Sequence, residues 1–182
     1  MGTNGGEHQA DQPSIGFPPV AESDARILVL GSLPGQRSLA AAEYYAHPQN
    51  AFWKIMQELV GARGSYERRC ETLKICGIAL WDVLAESVRP GSMDADIRMD
   101  ASRPNDFERL FRNCPEIRRV CFNGKKAAAM YERLVGRDKY PMHYMTLPST
   151  SPAYASMHLS LIHISEPTRP SKFIAYAVFC LK

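Results

Sequence analysis

The run ARILVLG, residues 25–31, is apolar at four consecutive positions, Ile27 to Leu30, and closes on a glycine. A strand without polar alternation has no face to offer water, so both faces must be covered. That is the signature of a strand inside a parallel sheet. Three further segments share the form, GIALWDVL (77–84), RRVCFNG (118–124) and HYMTLP (143–148). Between them lie segments of helical period: NAFWKIMQELVG (50–61), YERRCETLKICG (66–77), NDFERLFRNC (105–114) and KKAAAMYERLVG (125–136). Asn50 and Asn105 stand where N-caps are expected, and Gly61 lies just past a helix end. Strands alternating with helices require crossover connections, so the expected fold is α/β, with a mostly parallel four-stranded sheet covered on both faces.

In such sheets ligands collect beyond the carboxyl ends of the strands. Those ends are expected at residues 31–50, 81–97, 123–126 and 148–152, and the unusual residues fall there. The stretch GSLPGQRSLAAAEYYAHPQNAFW (31–53) sets a glycine-framed turn, two tyrosines and an asparagine just after the first strand. A turn with so little side chain brings backbone N–H groups close to a ligand. It matches neither the phosphate loop of nucleotide-binding enzymes nor the dinucleotide fingerprint. Tyr44 and Tyr45 can be core residues or a stacking platform for a planar base, and Asn50 can be a helix cap or a holder of water. STSPA (149–153) places Ser149, Thr150 and Ser151 before a proline suited to a first helical turn, a corner able to bind phosphate. Lys125 and Lys126 open a helix after a strand, on a solvated face or against a DNA phosphate. His47 and His143 lack an evident acidic partner for catalysis.

At 182 residues the chain fits one domain with a real core. No apolar run nears the ~20 residues of a membrane span, no signal-peptide pattern opens it, and a cytoplasmic location is expected. Five scattered cysteines fit neither a disulfide framework nor a zinc site and read as small apolar residues. Residues 1–13, MGTNGGEHQADQP, are polar and expected to form a disordered leader. The segment 159–182, LSLIHISEPTRPSKFIAYAVFCLK, resembles the in-frame translation of two sequencing-library adapters in their library order. On that reading the native domain spans 14–158, is truncated at its C-terminus, and ends in a foreign tail. The formal net charge is +3; Arg169, Lys172 and Lys182 against Glu166 make the tail two units positive, leaving +1 for the rest. Charge therefore gives little ground for naming nucleic acid as a partner.

The motifs together do. GSLPGQRSL, YYAHPQNAFW, GIALWDVL, CFNGKKA and STSPA occur in the order and approximate spacing of the uracil-DNA glycosylase superfamily, and most resemble its hypoxanthine-DNA (deoxyinosine) glycosylase branch. The resemblance implies a three-layer α/β/α sandwich and a cofactor-free enzyme that flips a nucleotide out of double-stranded DNA carrying a deaminated base. It implies hydrolysis of the N-glycosidic bond by water, with Asn50 as the catalytic residue. Gly31, Ser32, Leu33, Pro34 and Gly35 would floor the pocket, Tyr45 would stack on the base, and Asn123 would join the substrate site. Ser149, Thr150, Ser151 and Lys125 would hold DNA phosphates. Many superfamily members carry their catalytic Asp or Asn at the position of Leu33, a side chain that cannot hold a water, so the resemblance shifts that duty to Asn50. The cysteine cluster that holds an iron–sulfur centre in some branches is absent, and no metal or other cofactor is implied. A monomer that does not engage membranes is expected. A uracil- or mismatch-specific glycosylase, or a non-catalytic DNA- or nucleotide-binding module, stands as the alternative.

Overall fold

The computed structural model of the chain describes residues 13–88, 100 and 102–152. All but Pro13 of the expected leader, the adapter-like tail, and residues 89–97 of the second expected loop lie outside them. Four strands, β2 (Ile27–Gly31), β3 (Ile78–Asp82), β6 (Arg119–Asn123) and β7 (His143–Leu147), form one sheet in the order β3-β2-β6-β7, parallel at every pairing. β2 and β3 are buried at all five positions each, as their unbroken apolar runs require.

Helices α1 (Gln36–Ala41), α2 (Phe52–Val60) and α3 (Tyr66–Ile75) connect β2 to β3, and α5 (Lys125–Leu134) connects β6 to β7. These two crossovers step in opposite directions along the sheet. Right-handed crossovers then put their helices on opposite faces, which gives the expected three layers. Helix α4 (Phe107–Asn113) precedes β6. Because the chain leaves β2 and β6 toward opposite faces, their carboxyl ends frame the topological switch point, where open sheets bind ligands.

Local details depart from the sequence reading. The 31–50 segment contains helix α1, formed by QRSLAA after the Pro34–Gly35 turn. Helix α4 is capped by Asp106, whose Oδ1 accepts from Arg109 N at 2.9 Å, because the Asn105 side chain is engaged elsewhere and donates to the Asp82 carbonyl. The N-cap of α2 is Ala51, with Asn50 one residue before it. A small second sheet, β1 (Ser14–Ile15), β4 (Leu84–Ser87) and β5 (Arg103–Pro104), pairs antiparallel beside the main one. Of the cysteines within the described residues, Cys70, Cys114 and Cys121 are buried and Cys76 is half-buried, and all are free thiols. Burial pushes the Cys70 and Cys114 thiols up, away from the thiolate that reaction or metal binding needs.

Candidate active site

The two adjacent tyrosines part at Tyr45, which sits in the left-handed region with φ 55°. That conformation is uncommon for a bulky residue and is kept only where surrounding structure enforces it. Tyr44 turns inward and is 3% exposed. Its hydroxyl donates to the carbonyls of Phe17 and Pro18, its N–H donates to the Tyr66 hydroxyl at 3.0 Å, and its carbonyl accepts from Trp53 Nε1 at 2.8 Å. Burial, with the Asp82 charge second, drives the Tyr44 phenol far above its usual range, so it remains a protonated donor. Of the two open readings, the core one belongs to Tyr44. Tyr45 is half-buried, its ring stacked on Phe52 with centroids 4.1 Å apart and planes 25° apart. Phe52 thus backs one face of the ring, as a platform for a flat ligand requires.

Gly31 explains the glycine at the end of β2. A Cβ there would lie 2.3 Å from Asp82 Oδ1 and 3.0 Å from the Tyr45 hydroxyl. The missing side chain lets a carboxylate and a phenol converge on one point at the sheet mouth. Asp82 is 3% exposed and directly opposite Gly31 in the β2–β3 register. Reasoning from sequence did not single it out. The available signal was a carboxylate closing an otherwise apolar, fully covered strand, where only a satisfied or functional acid is tolerated.

Beyond Gly31, Ser32 and Leu33 are buried at 6% and 5%, and Pro34 is also buried. The carbonyls of Gly31 and Ser32 accept from Val83 and Leu84 N–H groups, fixing the turn against the end of β3. Leu33 lies in the core cluster, consistent with a side chain that holds no water. Gly35 is the N-cap of α1.

Asn50 is half-buried and tied at two points. Its N–H donates to the His47 carbonyl at 2.8 Å, and its Oδ1 accepts from Phe52 N at 3.0 Å. The Phe52 bond identifies which amide atom is oxygen. Oδ1 retains a second lone pair, and no partner of Nδ2 is found among the described residues. One side chain can therefore accept a proton of water and donate to a neighbouring oxygen. The cap-like bond and a water-holding role are compatible.

The next residue joins this turn to the hydroxyl loop, as Ala51 N donates to the Thr150 carbonyl at 3.0 Å. Thr150 is 3% exposed and doubly latched to Asn123. Its N–H donates to Asn123 Oδ1 at 2.9 Å, and its Oγ1 accepts from Asn123 Nδ2 at 2.8 Å. Both ends of the Asn123 amide thus hold Thr150, and Ser149 Oγ accepts from Ser151 N at 3.2 Å. Gly124, with φ 103°, completes the latch, since a Cβ there would stand 2.9 Å from that of Ser149. Asn50, Thr150 and Asn123 come together at the switch point between β2 and β6. Lys125 and Lys126 are exposed in the first turn of α5 beside them. The helix expected to start at Ser151 and Pro152 falls outside the described residues, which end at Pro152. His143 is exposed at the start of β7, at the amino end of the strand and away from the carboxyl-end mouth. No group of three or more potential metal ligands occurs among the described residues.

The Asn123 latch makes a testable prediction. Asn123→Ala removes both bonds and leaves the Thr150 N–H unpaired, lowering stability by about 1–3 kcal/mol and releasing the 149–151 loop. Asn123→Asp restores most of that in thermal melts, because a carboxylate still accepts from Thr150 N–H and the threonine hydroxyl can turn to donate. Equal melting of the two variants would contradict the latch.

A family model of the uracil DNA glycosylase superfamily matches residues 18–176. A protein of Methanosarcina acetivorans named hypoxanthine DNA glycosylase is 39% identical over 143 residues, 76% of this chain and 86% of that protein. One of the same name from Methanosarcina barkeri is 40% identical over 115 residues, 62% of this chain and 72% of its own length. The solution structure of a candidate uracil DNA glycosylase from Methanosarcina acetivorans shares the fold with a TM-score of 0.73 and 34% identity, covering 94% of this chain and all of that one. With a family match over most of its length and a shared three-layer fold, the chain belongs to the uracil DNA glycosylase superfamily.

Proposed function

We propose that the protein is a monofunctional glycosylase that removes hypoxanthine from deoxyinosine in double-stranded DNA, acting as a cytoplasmic monomer. The observation that carries this reading is the bond from Ala51 N to the Thr150 carbonyl, which brings the Asn50 amide and the serine–threonine loop to one mouth. The relatives named hypoxanthine DNA glycosylase support the choice of base. The target nucleotide leaves the stack, and Tyr45, braced by Phe52, meets the flat face of the base. A deaminated base pairs poorly, so its extrusion costs less than that of a normal one.

The C1′–N9 bond breaks with its electron pair going to the purine, leaving an oxocarbenium-like sugar. Water oriented by Asn50 Oδ1 adds to C1′ and loses a proton to solvent, the purine anion takes one up, and the products are an abasic site and free hypoxanthine. Among the described residues no pair of carboxylates is placed at this mouth as in ordinary glycoside hydrolysis. An amide is a poor base, which suffices when the sugar cation is almost formed before water adds. Placed dipoles and the negative DNA backbone stabilise that cation. Hypoxanthine leaves more readily than adenine because its anion is better stabilised. The loop hydroxyls of Ser149 and Ser151, together with Lys125, face the DNA phosphates on this reading.

The test is incubation with duplexes carrying one deoxyinosine, one deoxyuridine or no lesion, followed by alkaline cleavage of abasic sites. Release from inosine is expected, with no strand break before alkali. Release from uracil alone would move the assignment to a uracil-specific enzyme, and binding without release to a non-catalytic module. Tyr45→Ala is expected to weaken binding of the inosine duplex by about 1–3 kcal/mol, the worth of one base–aromatic stack. Fluorescence anisotropy against the undamaged duplex measures it, and equal weakening on both duplexes would return Tyr45 to a packing role.

A further inference from the structure

A concavity lies on the α2 side of the 43–50 loop. Its volume is about 310 Å³; its lining includes Tyr45, Asn50, Lys54, Arg63 and Arg69, and no residue of the 31–35 turn. It shares two residues with the candidate site but opens beside it.

The charge there is organised. Arg69 is held on an aromatic bed, its guanidinium carbon 4.6 Å from the Trp53 ring centroid and 5.9 Å from that of Tyr66. Its side chain is 22% exposed, and its Nε is buried with no hydrogen-bond partner among the described residues. Glu43 approaches it at 3.8 Å and is the one acid of the lining. Lys54 and Arg63 are exposed and form no ion pair among the described residues. Three cations against one carboxylate, around a nucleotide-sized hollow, suit an anion carried on a larger group.

We infer that this cavity binds a backbone phosphate of the same DNA strand, next to the flipped nucleotide and on the side opposite the 149–151 loop. The inference rests on the glycosylase reading for its substrate. A strand carries a charge about every 3.4 Å of helix axis, so a nucleotide seated at Asn50 has phosphates on both sides. The hydroxyl loop faces one, and the Lys54–Arg63–Arg69 cavity is the basic hollow adjoining Asn50 for the other. A free phosphate offers the same chemistry, and the test separates the two.

The salt dependence of binding to an undamaged duplex, measured on the full chain, tests the inference. Each neutralised phosphate contributes about 0.9 to the slope of log K against log salt. The Lys54→Ala/Arg63→Ala double variant is expected to lose about 0.9 unit of slope, the share of the one phosphate. The Arg133→Ala/Lys139→Ala variant, which loses equal charge near the far end of α5 and just beyond it, is expected to keep the slope. Matching slopes in the two doubles would overturn the inference. So would stabilisation of the wild type by inorganic phosphate, lost in Lys54→Ala/Arg63→Ala, without any change in the DNA slope. Base release by the wild type is read separately: its failure removes the glycosylase reading, whereas an unchanged slope with intact release removes only this inference.

Discussion

Asn50→Ala is expected to lower hypoxanthine release by two to three orders of magnitude, the usual effect of removing one placed polar group from a transition-state site. The alanine also loses the bond from Phe52 N to Oδ1, which stabilises the start of α2 by about 1 kcal/mol. Reduced activity alone would therefore leave two explanations, a frayed helix or a lost water. Asn50→Asp separates them. A carboxylate still accepts from Phe52 N, so the melting temperature should return close to wild type. It can also accept a proton from water, so release should exceed that of the alanine variant. Binding of the inosine duplex by Asn50→Ala should persist, since Tyr45 and the 149–151 loop are untouched. If Asn50→Ala releases hypoxanthine at the wild-type rate while remaining folded, the water-holding role fails. If Asn50→Asp matches alanine in both melting and release, the tie to Phe52 has been misjudged as well.

Much of this could be read from the chain because the strands are unusually plain. Four consecutive apolar residues before Gly31 leave no choice of face, and β2 is fully buried. The helices α2, α3 and α5 follow from their periodicity, and the end of α2 from Gly61, which takes φ 74°. The errors concern competition for polar groups, which no period reveals. Asn105 and Asp106 are both good caps, and the choice between them is made by the Asp82 carbonyl, which captures Asn105 from another strand. The resemblance implied that Asn123 joins the substrate site, and what no motif states is that both its amide atoms meet Thr150, 27 positions away. Tyr44 and Tyr45 were indistinguishable by composition, because a left-handed backbone at the second, set by the fold around it, decides which ring turns inward. The family motifs brought the right loops together without stating which atoms meet. Asp82 was hidden for the opposite reason: it ends a strand so apolar that the eye reads it as the first loop residue.

Gly31→Ala is the second large effect, and it is steric. One methyl would approach Asp82 Oδ1 to 2.3 Å and the Tyr45 hydroxyl to 3.0 Å, and the first distance is shorter than a Cβ tolerates. Asp82 is 3% exposed and cannot swing into solvent without dragging the end of β3, whose next residues, Val83 and Leu84, are bonded to the Gly31 and Ser32 carbonyls. Overpacking of this kind costs about 1–3 kcal/mol, or a fall in melting temperature of about 4–8 °C for a shift near 2 kcal/mol at this chain length. Base release should fall further than stability, since the displaced groups border the stacking tyrosine. A double-mutant cycle with Asp82→Ala separates local crowding from general damage. Deleting the carboxylate makes room for the methyl, so Asp82→Ala should destabilise the Gly31→Ala protein less than it does the wild type, with a coupling above about 0.5 kcal/mol. Strict additivity would mean that the methyl is accommodated elsewhere, and that the glycine serves the turn rather than the meeting of Asp82 and Tyr45. Coupling in melting without recovery of base release would place the Asp82 carboxylate itself among the groups the reaction needs.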